Sequence, residues 1–156
     1  MAIELRLTAE LVPKTSWGNN MRSAFPEATW DSIRKGIYAE YSYHCGICRA
    51  GGQLDCHEIW EYDDQTHIQT LRGFIALCEW CHHVKHIGLA GVRARQGKLD
   101  FERVIGHFMR VNECDRLVFE DHHCQAREQW RERSQHPWRV NLGEYESMVT
   151  REQSAY

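Results

Sequence analysis

Two Cys-x-x-Cys pairs, Cys45/Cys48 and Cys78/Cys81, stand 29 residues apart and constrain this chain more than any other feature. The interval is long enough for a β-hairpin to leave one pair and return to the other, and four thiolates so spaced make a tetrahedral zinc site. A single pair would also fit a redox motif. Two pairs with the same internal spacing, each beside a glycine or an aromatic residue, are more simply explained by one ion. Four cysteine ligands close the coordination sphere, so the zinc is expected to serve folding and not chemistry. The stretch from Cys45 to His86 carries five of the seven cysteines and five of the ten histidines, and the rest of the chain is expected to be built around it.

A second constellation is interleaved with the first. His82 follows Cys81 directly and His86 comes four residues later, a spacing that places both imidazoles on one helical face. His57 falls between the cysteine pairs, in the short mixed stretch QLDCHEIW that reads as a strand after the turn Gly51-Gly52. Two helical histidines, a third on a hairpin and the adjacent carboxylate of Glu58 would make a metal-dependent hydrolytic site. The returning strand is expected over about 68–77. The following helix is expected from about Glu79 to Ile87, with Gly88 and Gly91 ending it. The run Glu61, Tyr62, Asp63, Asp64 reads as a solvated loop.

Residues 77–86, LCEWCHHVKH, match throughout the pattern Leu-Cys-x-x-Cys-His-x-x-Lys-His found in zinc-ribbon members of the HNH nucleases, and the chain resembles that family. The resemblance implies an α+β fold, a small treble-clef-like ββα-metal core flanked by helices. It implies an endonuclease that hydrolyses DNA phosphodiester bonds, double-stranded DNA first. It also implies a second divalent ion (Mg2+, Mn2+, Ni2+ or Zn2+) held by His57, His82 and His86, besides the zinc on Cys45, Cys48, Cys78 and Cys81. Two registers of the hairpin pair are open. In the preferred one His57 is a metal ligand and Glu58 the general base; in the other Cys56 is the ligand and His57 the base, with a thiolate that would favour zinc over magnesium. Adjacent strand residues face opposite ways, so either pair needs a bulge to converge on one phosphate. Gly73 stands where the family's middle Asn falls, leaving Gln69 or Thr70 as possible substitutes. The alternative function is a noncatalytic zinc-ribbon module that binds nucleic acid or a protein partner.

At 156 residues the chain suits one domain, divided into a strand and helix over 1–44, the metal motif over 45–90 and a helical extension over 91–156. Residues 3–12 alternate apolar and polar and read as a half-buried strand ended by Pro13, followed by a reversal at Gly18-Asn19-Asn20. Trp30, Ile33, Ile37 and Tyr41 form one stripe, predicting a helix from about Pro26 to Tyr43. Further helices are expected from the N-cap Asp100 to Asn112 and over about 116–134, with Leu117, Phe119 and Trp130 packed. A short strand is expected in WRVNL. A net charge of −3 and a pI near 6.4 argue against a DNA-coating protein, yet leave room for a local basic surface. Lys85, Arg93, Arg95 and Lys98 are the candidates for phosphate contacts. No apolar run suggests a membrane span and no leader is evident, so a cytoplasmic setting is expected, with a homodimer or protein partner left open.

Overall fold

The strand β1 (Leu54–Asp63) turns back into the antiparallel β2 (Ile68–Cys78) in a computed structural model that describes residues 3–16 and 21–149. The turn between them is stapled by Asp63, whose Oδ1 accepts hydrogen bonds from the amides of Gln65 (2.9 Å) and Thr66 (3.1 Å). The acidic run is therefore not a loop throughout. Glu61 to Asp63 lie in β1, Glu61 pairs with Arg72 at 2.9 Å, and Asp64 pairs with Arg133 at 2.8 Å. A third strand, β3 (Arg139–Asn141), runs parallel to the start of β2 and gives the order β1-β2-β3. The ladder slips between Ile59 and Trp60, which face Gly73 and Leu71, so that Arg72 is the extra residue. Gly73 has φ +151° there, a conformation that side chains disfavour.

On one side of the hairpin lies α2 (Glu27–Glu40), preceded by the single turn α1 (Met21–Ala24). Its stripe of Trp30, Ile33 and Ile37 packs with Phe25, Leu71 and Phe74. Ser42 and Tyr43 adopt left-handed backbone conformations, so the helix stops at Glu40, short of the expected Tyr43. The other side is covered by α3 (Glu79–Lys85), α4 (Ile87–Arg95), α5 (Phe101–Asn112) and α6 (Arg116–Arg133). Asp100 and Asp115 cap α5 and α6 as side-chain acceptors. Between α3 and α4 the chain breaks at His86 (φ −100°, ψ 50°), and Gly88 and Gly91 lie inside α4 instead of ending a helix. A larger core joins Leu77, Val84, Ile87, Val104, Phe108 and Phe119. Leu117, expected to pack, is 72% exposed because it sits on the outer face of α6.

The N-terminal segment is extended, but it is not a strand. Its alternation is real, with Leu7 fully buried, while its backbone bonds go to helices instead of a sheet. Asn112 Oδ1 accepts from the amides of Arg6 (2.8 Å) and Leu7 (2.9 Å), and Asn112 Nδ2 donates to the Leu7 carbonyl (2.9 Å). The Ala9 amide donates to His122 Nε2 (2.9 Å), and the Glu10 amide to the Lys85 carbonyl (3.0 Å). The reversal expected at Gly18-Asn19-Asn20 lies outside the described residues. Among the described residues, no helix is long and apolar enough to cross a membrane.

Candidate metal centre

Cys45, Cys48, Cys78 and Cys81 come together with their Sγ atoms within 4.8 Å of one another, a cluster that could hold a structural metal ion such as zinc. Local backbone builds each half. The amides of Ile47 and Cys48 point at Cys45 Sγ (3.5 Å each), and the Cys81 amide donates to Cys78 Sγ (3.4 Å), which serves as the N-cap of α3. Such N–H···S bonds favour thiolates, the form in which cysteine binds metal. Within the cluster, hydrogen bonds from Cys78 and Cys81 hold the Cys45 thiol well below its ordinary range, while the bond to Cys45, with burial added, pushes Cys78 up to about 11 against a lowering contribution from Cys81. His107, from α5, lies with Nε2 3.2 Å from Cys81 Sγ and can donate to it. Gly46 is required for close approach: a Cβ there would stand 2.7 Å from the Tyr41 ring and 2.8 Å from Ile75.

The second expected group also forms. One ring nitrogen from each of His57, His82 and His86 lies within 4.8 Å of the others. The helical pair presents its rings 4.7 Å apart, and His57 meets them edge-on at 5.4 and 4.9 Å from β1. Burial, with smaller contributions from His57 and His82, pushes the His86 imidazole down to about 3, so it is neutral and able to bind a cation. His57 is 5% exposed, and its Nδ1 is buried without a hydrogen-bond partner. A buried orphan nitrogen among converging imidazoles is what a metal position leaves behind, so the donor set fits an ion.

Two carboxylates that sequence reasoning did not single out bond this group. Asp55 Oδ2 lies 3.1 Å from His82 Nδ1, and this bond chiefly holds the Asp55 carboxyl below its ordinary range. Asp55 shares a strand face with His57 two residues on, a signal present in the sequence. Glu10 Oε2 lies 3.3 Å from His57 Nε2, while its other oxygen takes the Lys85 ammonium at 2.8 Å. Burial alone would raise the Glu10 carboxyl, but His57 and Lys85 outweigh it and hold it at about 2. Nothing local to residue 10 announces this role.

The bulge falls beyond the His57–Glu58 pair, so the two diverge as strand neighbours do. His57 points to the helical histidines. Cys56 and Glu58 take the opposite face, where Cys56 packs beside the Trp30 cluster and Glu58 Oε1 accepts from the Met21 amide at 3.2 Å. Burial, then the Glu58 charge, push the Cys56 thiol up to about 12, and it stands outside both metal groups. Glu58 nevertheless opens into a cleft of about 790 Å3 that is also lined by Asp55, His82 and His86. That cleft is lined from both faces of β1, the outermost strand, by Asp55 on one and by Cys56 and Glu58 on the other. At the positions considered as substitutes for the missing Asn, Gln69 is buried with its side-chain amide donating to the Tyr62 hydroxyl at 3.4 Å, and the backbone of Thr70 pairs with Glu61 and Asn141.

A second cleft of about 780 Å3 shares Gln53, Asp55, His82 and His86 with the first and extends to Arg93 and Arg110. Of the expected basic residues only Arg93 reaches the histidines. Arg95 lines a separate hollow with Leu11, Arg127 and Trp130, and Lys98 lies past the end of α4, outside the clefts. Lys85 is turned inward, 8% exposed and bonded to Glu10 and Thr8, so it is not a phosphate contact. Trp80 is covered by the Arg103 guanidinium at 4.1 Å and Trp60 packs in the smaller core, as structural side chains. Compared with known proteins, the chain matches no family model, and no curated protein or solved structure is significantly similar to it.

Proposed function

We propose that this protein is a metal-dependent endonuclease that hydrolyses DNA phosphodiester bonds, built on a zinc-ribbon ββα-metal core of the HNH kind. The convergence of His57, His82 and His86, separate from a complete four-cysteine set, supports this most directly. His57 from below and His82 and His86 from the helix would hold a divalent ion (Mg2+, Mn2+, Ni2+ or Zn2+). Once bound, such an ion polarises the scissile phosphate and stabilises the departing oxygen. Asp55 fixes the ring of His82 by its hydrogen bond. Glu58, which lines the same cleft as the helical histidines, would take a proton from the attacking water. Arg93 and Arg110 supply positive charge where the adjoining cleft would carry the nucleic-acid backbone.

The test is incubation of plasmid and single-stranded DNA with protein of verified zinc content, in magnesium, manganese, nickel and zinc. Cleavage is expected with at least one ion. His86→Ala should lose the second ion and the cleavage while keeping the four-cysteine zinc. Glu58→Gln should keep both ions and DNA binding but cut ~10²–10⁴-fold more slowly, the usual loss for a general base. Arg93→Ala should weaken DNA binding and flatten its salt dependence, whereas Arg95→Ala should do neither. Failure of the wild type to cut any substrate with all four ions would sink the nuclease reading in favour of a noncatalytic binding module.

A further inference from the structure

We infer that Glu10 is a positioning residue for the three-histidine site, clamped by the buried Lys85 so that His57 keeps its proton on Nε2 and turns a bare Nδ1 to the ion. The inference rests on the proposal that His57, His82 and His86 hold an ion. Its basis is a chain of contacts that fixes Glu10 at both ends. Its backbone amide donates to the Lys85 carbonyl at 3.0 Å, and its Oε1 takes the Lys85 ammonium at 2.8 Å. The ammonium also donates to Thr8 Oγ1 at 3.1 Å, so Lys85 binds two residues of the N-terminal segment. The remaining oxygen, Oε2, is thereby left facing His57 Nε2 at 3.3 Å.

A carboxylate in that place can only accept, so a neutral His57 must carry its proton on Nε2. The other nitrogen agrees. Nδ1 is buried and unpartnered, and a bare lone pair is tolerated there far better than an N–H with nothing to receive it. Neither Glu10 nor Asp55 belongs to the mutually close set of ligand atoms, which places Glu10 behind His57 and not beside it as a ligand. A carboxylate behind a ligating imidazole fixes its tautomer and raises its basicity, and loss of such a partner costs about 10–100-fold in metal affinity. Lys85 lies one residue before His86, so the same helix that presents two of the imidazoles also holds the group that orients the third.

Nitrogen-resolved NMR of the full chain, with zinc on the four cysteines, reads the His57 tautomer directly, and Co2+ titration reads the three-histidine site by its absorption. Wild-type His57 should be Nε2-protonated. Glu10→Ala should mix its tautomers and weaken Co2+ binding by about 10–100-fold. Glu10→Gln should restore most of the affinity, because its amide oxygen accepts the same bond. Glu10→Ala also strands a buried ammonium, so the double variant Glu10→Ala/Lys85→Met removes both charges and should still bind Co2+ weakly. A wild-type His57 protonated on Nδ1 overturns the inference, as does unchanged Co2+ affinity in both the single and double alanine variants. Wild-type protein that takes up no Co2+ beyond the four-cysteine site overturns the ion-site proposal and the inference together.

Discussion

Asn112 does with one carboxamide what a neighbouring strand does with a peptide unit. It is 7% exposed, and it takes two amide donors and one carbonyl from Arg6 and Leu7. Asn112→Ala would orphan all three groups beside the fully buried Leu7. With about 1–3 kcal/mol for each buried polar group left unpaired, less what water recovers, the expected loss is of order 2–4 kcal/mol. Urea denaturation should show a lower midpoint with an unchanged slope, and an unaltered midpoint would mean that the segment is held by Leu7 alone. The candidate metal ligands sit at the opposite extreme of legibility. Cys45, Cys48, Cys78, Cys81, His82 and His86 were readable because knuckle and helix spacings place them locally, whereas Glu10 reaches His57 across 47 residues that no short pattern spans.

Single elements show why the rest was harder to read. An alternating apolar segment looks the same whether its backbone bonds run to a strand or to side chains on helices, and residues 3–12 chose the second. The helix after Cys78 is legible in its start and in the i,i+4 pair. Its break at His86 is not, because the glycines that suggested a stop lie beyond it, inside α4. The docking of the N-terminal segment on α6 predicts a pH response. His122 accepts the Ala9 amide through Nε2, and burial chiefly, then His123 and Lys85, lower its pKa. His107 and His123 are lowered for the same main reason. The unfolded chain therefore binds more protons than the folded one below the ordinary histidine value of about 6.5, and stability should fall as pH drops through that value toward the lowered ones. His122→Gln, which can still accept the bond but cannot titrate, should show a smaller fall in melting temperature between about pH 7 and 5. An identical fall in variant and wild type would remove His122 from the account.

Over the whole molecule, the two candidate metal groups share their scaffold. Cys78 caps α3, Cys81 lies in it, His82 follows, and His86 ends it, so whatever fixes the cysteine cluster also fixes two of the three imidazoles. The relation is expected to be one-way. A mild chelator should strip the exchangeable ion and abolish cleavage without changing the melting temperature by more than the ligand-binding contribution. A chelator strong enough to take the cysteine-bound zinc should unfold the chain and abolish cleavage with it, as should Cys78→Ser. Unchanged circular dichroism and cleavage after verified zinc removal would refute the structural role. The N-terminal segment adds an ordering in time. Lys85, its partner on α3, is made together with the cysteine cluster, but Asn112, His122, Trp130, Ser134 and His136 lie more than a hundred residues downstream of the positions they hold. A ribosome therefore delivers the hairpin, both cysteine pairs and the Lys85 clamp before α5 and α6 exist, and the strap over the histidine site is at first held without its later anchors.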